Sequence, residues 1–191
     1  MQTYTWLLAI LVNLSIGAST LAQIKNPCLE LERKAVDSLV EYTLRQKAKK
    51  STIEASLKLI ESAIECDSNQ WSSRDNRIVI LAVMGEYRMA ISAVDDEFYR
   101  SGKDSSQLVL KAAYFEQLEM YDSADYLYKG LNRYFEGRLR KDPENESLIY
   151  HTVFTEFKTY GWRKAKASID YYKLKYPKRT HLLKLLKSIH P

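Results

Sequence analysis

Apolar residues recur along this chain every three or four positions, separated by charged ones, in the pattern of helices that each bury one face. Leu31, Ala35, Leu39 or Val40, and Leu44 predict a first helix over 29–50, with Lys47, Lys49 and Lys50 in a last turn where cations suit the negative end of the helix dipole. Ser51-Thr52-Ile53-Glu54 has the form of a hydroxyl cap followed by a first-turn acid, and predicts a second helix ending near Cys66 with Leu57, Ile60 and Ile64 inward. Asp67 to Asp75 is polar apart from Trp71, and Asp75 is placed to cap a third helix carrying Ile78, Leu81 and Ala82. Gly85 marks its end, since glycine is favoured just past a helix and costs about 1 kcal/mol inside one. The partner helix, 88–100, turns Ile91, Val94 and Phe98 inward and is broken by Ser101-Gly102-Lys103-Asp104. Further hairpins are predicted at 105–139 and 146–177, the last stopped by Pro177, and Leu182, Leu183, Leu185, Leu186 and Ile189 predict an amphipathic closing helix over 180–190. The expected fold is therefore all-α, with hairpins near 29–66, 75–100, 105–139 and 146–177.

A turn phrase repeats. Gly85-Glu86-Tyr87-Arg88-Met89-Ala90 is echoed by Glu119-Met120-Tyr121-Asp122-Ser123-Ala124, with 34 residues between Tyr87 and Tyr121 and again between Ala90 and Ala124. A third phrase, Tyr160-Gly161-Trp162-Arg163-Lys164-Ala165, follows 41 residues later, and the extra seven fall most naturally in 139–145 around Asp142-Pro143-Glu144. Seven residues are two helical turns, so such an insertion keeps the buried face nearly in place. Ser56, Ala90, Ala124 and Ala165 stand at the small position of each phrase, with Ile60, Val94, Tyr128 and Ile169 four residues on. On this spacing, over about 37–179, the chain resembles the tetratricopeptide-repeat proteins. It lacks that family's Trp and Leu-Gly signature, and only Pro177 matches its closing proline. The resemblance implies an antiparallel hairpin array with a capping helix, a concave groove lined by the first helix of each pair, and protein binding rather than catalysis. The first-helix side chains Glu41, Arg45, Asp75, Val79, Val109 and Ala113 do not supply a carboxylate clamp.

The first residues change the compartment. Trp6 to Val12 opens an apolar stretch that runs to about Ala18, and Thr20-Leu21-Ala22 offers small residues at the positions a signal peptidase reads, so 1–22 is expected to be a signal peptide cleaved after Ala22. The n-region has no Lys or Arg, and an uncleaved anchor is the competing arrangement. Export makes the two cysteines informative. Cys28 precedes the first helix and Cys66 ends the second, so an antiparallel pair brings both to one end of the hairpin. A disulfide there fits an oxidising compartment, two unpaired thiols being the alternative.

Chemistry is sparse by comparison. With three histidines and two cysteines, no HExxH, CxxC, phosphate loop or nucleophile elbow is present, and neither a catalytic residue, a metal ligand nor a cofactor is expected. Asp95-Asp96-Glu97 reads as a solvated face, and Asn145-Glu146-Ser147 as a helix start or, in a eukaryotic secretory pathway, a glycosylation sequon. Charge is uneven: from Lys129 onward 15 Lys and Arg face 6 Asp and Glu, although the whole chain carries only +5. Arg138, Arg140, Lys141, Arg163, Lys164 and Lys166 form one patch if their helices stack. Tyr150, Phe154 and Phe157 share a face of one helix beside His151, either open as an interface or buried under the preceding hairpin. The expected function is an exported, non-enzymatic adaptor or scaffold that binds an unidentified protein partner through Tyr150, His151, Phe154, Phe157, Arg163 and Lys164. The alternatives are an immunity or inhibitor protein that occludes one toxin or enzyme, and a peripheral membrane protein using the basic C-terminal third. Neither nucleic acid nor a small-molecule substrate is expected.

Overall fold

The computed structural model describes residues 26–44, 49–101 and 105–189, and the signal-peptide expectation for 1–22 lies outside them. Every regular element among the described residues is an α-helix: α1 (Pro27–Leu44), α2 (Lys50–Cys66), α3 (Trp71–Val83), α4 (Tyr87–Ser101), α5 (Ser105–Gln117), α6 (Tyr121–Lys141), α7 (Glu146–Tyr160), α8 (Trp162–Lys175) and α9 (Thr180–Ser188). The all-α architecture of helices packed on their chain neighbours agrees with the periodicity. The helices gather into two compact units, the chain passing from one to the other within α5 after Gln107.

In the first unit α1 packs along α2, α2 along α3, and α3 along α4. Ala35, Leu39, Ile53, Ile60, Ala63, Ile78, Leu81, Ala90 and Val94 are buried, each at the three-or-four spacing that places it on the inner stripe of its helix. The small position lets helices approach closely: Ser56 is fully buried, and its hydroxyl donates to the carbonyl of Ala35 at 2.6 Å. Cys28 and Cys66 are joined by a disulfide across the open end of the α1–α2 hairpin, with Cα atoms 5.5 Å apart.

Several details at the helix starts differ from the sequence expectation. The first helix is described as far as Leu44, and 45–48 lie outside the described residues. Lys49 is the extended residue before α2 and Lys50 its first residue, so these cations do not serve the end of α1. No side chain caps α2, and Ser51 and Thr52 lie within its first turn. The third helix begins at Trp71, one turn before the expected Asp75. Its start is held by Glu32 of α1: one carboxylate oxygen accepts from the side chains of Gln70, Ser72 and Ser73, the last two at 3.0 Å, and the other accepts from Asn76 Nδ2 at 2.9 Å. The Glu32 carboxylate thus gathers the side chains of the first turns without accepting from a backbone N–H, at the helix end where the dipole favours an anion, and no side chain caps α3. Asp75 instead accepts from Gln107. The acidic run is not uniformly solvated either: Glu97 is buried, with Arg74 3.6 Å away.

The second unit is built on α6, whose 21 residues carry the expected two-turn extension, packed along α7, with α8 and α9 against α7. Its core joins Val109, Ala112, Ala124, Tyr128, Leu131, Phe135, Ile149, Val153, Ala165, Ile169, Leu182 and Leu186. Burying each large aliphatic side chain contributes roughly 2 kcal/mol relative to exposure. Asn145 caps α7, its side-chain oxygen accepting from the Leu148 N–H at 3.1 Å, which makes this residue the helix start anticipated for it. The α8–α9 connection is held to the α6–α7 connection: the Tyr176 hydroxyl donates to the Pro143 carbonyl at 3.0 Å, and Arg179 reaches both the Glu144 carbonyl and its carboxylate. The closing helix stops at Ser188, and His190 lies outside the described residues.

The turn phrases fold alike. Gly85 has φ +82°, and Glu119, 34 residues later, adopts φ +60°, a left-handed conformation uncommon for a residue with a side chain. In both phrases the helix begins three residues before the buried alanine, as it also does at Trp162 before Ala165. The third turn is tighter: Gly161, φ +82°, is at once the last residue bounding α7 and the first bounding α8.

Candidate functional site

Helix α7 places the aromatic residues singled out in the sequence at differing depths. Phe154 faces inward, 7% exposed, and meets the buried Tyr128 of α6 edge-on, ring centroids 6.2 Å apart. Tyr150, one turn earlier, stacks on Phe154 at 6.2 Å and is half-buried against the same core. Its phenol is pushed up by burial, an effect partly offset by a hydrogen bond with Ser188 at the end of α9. His151 lies flat on Phe135 of α6, centroids 4.9 Å apart and planes 15° from parallel. For Tyr150, His151 and Phe154 the packing is that of a core edge. Burial, left open beside exposure in the sequence, is what holds for Phe154.

Exposure returns at the other end of α7. Phe157 is half-buried and meets Trp162 edge-on at 6.2 Å across the Gly161 turn. Between them Tyr160 is 58% exposed, and just beyond Trp162 the side chains of Arg163 and Lys164 are also exposed. Lys164 Nζ lies 3.5 Å from a carboxylate oxygen of Glu156, whereas Arg163 has no carboxylate within ion-pair distance among the described residues. Glu156 is itself buried between helices, which pushes its carboxyl up, with Ser168 and Lys164 opposing that shift. The Gly161 turn therefore presents an aromatic corner, Phe157, Tyr160 and Trp162, flanked by Arg163 and Lys164.

One neighbour of this corner was not legible in the sequence. Lys158 of α7 donates to both carboxylate oxygens of Glu116 on α5, at 3.0 and 2.7 Å, and its ammonium sits 5.5 Å from the Tyr128 ring centroid and 5.9 Å from that of Phe154. The Tyr128 phenol is pushed far up, by burial first and by the Glu116 charge beside it second. No spacing rule connects residues 42 apart on different hairpins; only the fold brings them together. Of the cations expected to form a patch, Arg138, Arg140 and Lys141 end α6, with Arg138 lying over Tyr134, and Lys166 of α8 pairs with Asp170 at 2.7 Å.

Cavities are modest. In the first unit a cleft of about 240 Å³ is lined by Arg74, Arg77, Arg100, Asp96 and Glu97 over an apolar floor of Ile64 and Ala93. In the second, an open depression of about 370 Å³ lies among Lys111, Phe115, Ser123, Tyr126 and Leu127. Among the described residues no group of three or more His, Cys, Asp or Glu is arranged to hold a metal ion, and no helix is long and apolar enough to cross a membrane. Compared with protein-family models, curated proteins and solved structures, the chain matches none.

Proposed function

We propose that the chain is an exported, non-enzymatic helical-repeat module, tetratricopeptide-like in its pairing of helices, that binds a protein partner through the corner at the Gly161 turn. The observation that carries this reading is the composition and exposure of that corner: Tyr160 projects into solvent beside the half-buried Phe157–Trp162 pair, and Arg163 stands next to them with no carboxylate within ion-pair distance among the described residues. Tyr, Trp and Arg are the residue types that supply most binding energy at protein interfaces, where rigid aromatic area is bought at little entropic cost. Export rests on the apolar N-terminal stretch and its small-residue cleavage pattern. The packing of Phe154 and His151 against the core supports a binding face at the C-terminal end of α7 rather than its middle.

The test uses the chain from Gln23 as bait, beside a Tyr160→Ala/Arg163→Ala variant that alters exposed positions only. The expected result is one stoichiometric partner retained by the parent chain and lost, or weakened at least tenfold, with the variant. The partner's identity then separates an adaptor from an inhibitor of one toxin or enzyme. Equal retention by both chains removes the corner from the binding face.

A further inference from the structure

Beyond the corner, the far half of α8 and the segment after it carry a second surface of different character. Seven Lys and Arg from Lys166 to Lys187 face a single acid, Asp170. Asp170 is taken by Lys166 at 2.7 Å, and Arg179 by Glu144 at 2.7 Å. The remaining five cations, Lys173, Lys175, Lys178, Lys184 and Lys187, have no carboxylate within ion-pair distance among the described residues, and all five are exposed. Lys175 lies instead over the rings of Tyr171 and Tyr176, 5.6 and 5.3 Å from their centroids.

An apolar side chain stands among these cations. The buried stripe of α8 runs through Ala165 and Ile169. Leu174, five residues past Ile169, falls about 140° around the helix from it, at 100° per residue. Leu174 is accordingly 85% exposed, with Tyr171 beside it at 54%. A leucine and a tyrosine thus project from a helix whose opposite face is already packed, with Lys173 and Lys175 flanking the leucine in the chain.

We propose that this surface docks on an anionic lipid bilayer, Leu174 and Tyr171 entering the headgroup region while Lys173, Lys175 and Lys178, their neighbours along the chain, sit among the lipid phosphates. Charge complementarity requires an anionic partner, and the residue types choose between lipid and protein. Lysine is depleted and leucine under-represented among the residues that hold protein interfaces together, where arginine is preferred for its fixed donor geometry. A lipid surface makes no such geometric demand. It attracts each ammonium through its potential and accepts aliphatic and aromatic side chains at the same depth. The surface shares no residue with the Gly161 corner, so its test stands apart from that of protein binding.

The experiment is co-sedimentation of the chain from Gln23, which retains every described helix, with vesicles of phosphatidylcholine alone or with one third phosphatidylglycerol. The expected result is partition onto the anionic vesicles only, falling about tenfold between about 0.05 M and 0.5 M NaCl as the lysine–phosphate attraction is screened. Leu174→Asp, at an exposed position, is expected to lower partition about tenfold with helix content unchanged by circular dichroism. Lys173→Gln/Lys175→Gln/Lys178→Gln is expected to do the same and to flatten the salt dependence. Equal partition onto neutral and anionic vesicles overturns the proposal, as does anionic binding that survives both variants. Capture of soluble polyglutamate without vesicle binding also overturns it, in favour of an acidic polypeptide.

Discussion

Lys158 and Glu116, 42 residues apart, form a two-point ion pair between α7 and α5, with the ammonium held above the rings of Tyr128 and Phe154. Both side chains are largely shielded, at 19% and 25% exposure, so this contact differs from the surface pairs of α1 and α8. Removing one partner leaves the other charge half-buried against an aromatic wall. Lys158→Ala is expected to cost about 1–3 kcal/mol of unfolding free energy in urea titration, with Glu116→Ala similar and the double variant short of their sum by about 1 kcal/mol. Strict additivity would mean the two groups do not interact in solution.

Two glycines inside α6 have no packing reason to be glycine. A Cβ at Gly130 or Gly137 meets nothing within 4 Å, and neither residue has a left-handed backbone. Alanine at each is expected to raise stability by about 0.5–1 kcal/mol, because glycine loses more backbone entropy on helix formation. The substitutions are two turns apart and should add. Loss of stability with either would place an unseen contact on that face.

Alkaline pH should act through Tyr128. Its phenol is held above the ordinary value of 10.0 by burial and by Glu116, so the folded state keeps it neutral where the unfolded chain would ionise it. A group of this kind contributes its stability fully below pH 10.0 and loses it as pH rises toward the folded value. The unfolding free energy should therefore fall above about pH 10, and Tyr128→Phe should make that fall shallower in titrations from about pH 8 to 11. Parallel slopes for parent and variant would show that Tyr128 does not govern alkaline unfolding.

Periodicity carried most of the fold because helix formation and face burial are local. The 34-residue interval set Glu119 opposite Gly85 despite the change of residue, and the backbone there takes a positive φ in both. The same interval placed Ser56, Ala90, Ala124, Ile60, Val94 and Tyr128 in the interior. What failed was long-range. Asp75 was read as a cap because it closes the polar connection before Ile78. The acid found at that helix start is Glu32, about forty residues earlier, which accepts from the side chains of Gln70, Ser72, Ser73 and Asn76, and no local spacing in the sequence points to it. The aromatic face of α7 divides in the same way. Spacing put Tyr150, Phe154 and Phe157 on one side of a helix, but which of them is covered depended on where Tyr128, Phe135 and Ser188 arrived from elsewhere in the chain. The exposure of Tyr160 beside the half-buried Trp162 came with the Gly161 turn, which was legible as a turn but not as a corner.

The bridge between Cys28 and Cys66 makes the first hairpin a closed ring of chain, whereas the far end of the second unit is fastened by Tyr176 and Arg179 reaching to Pro143 and Glu144. Helical arrays come apart one neighbour at a time from their ends. A ring cannot peel, so under oxidising conditions slow amide exchange is expected to persist longest in α1 and α2, and loosening to begin at α9. A reductant reverses the advantage of one end and leaves the other as it was, so the redox state of the surroundings sets the direction in which this chain unravels.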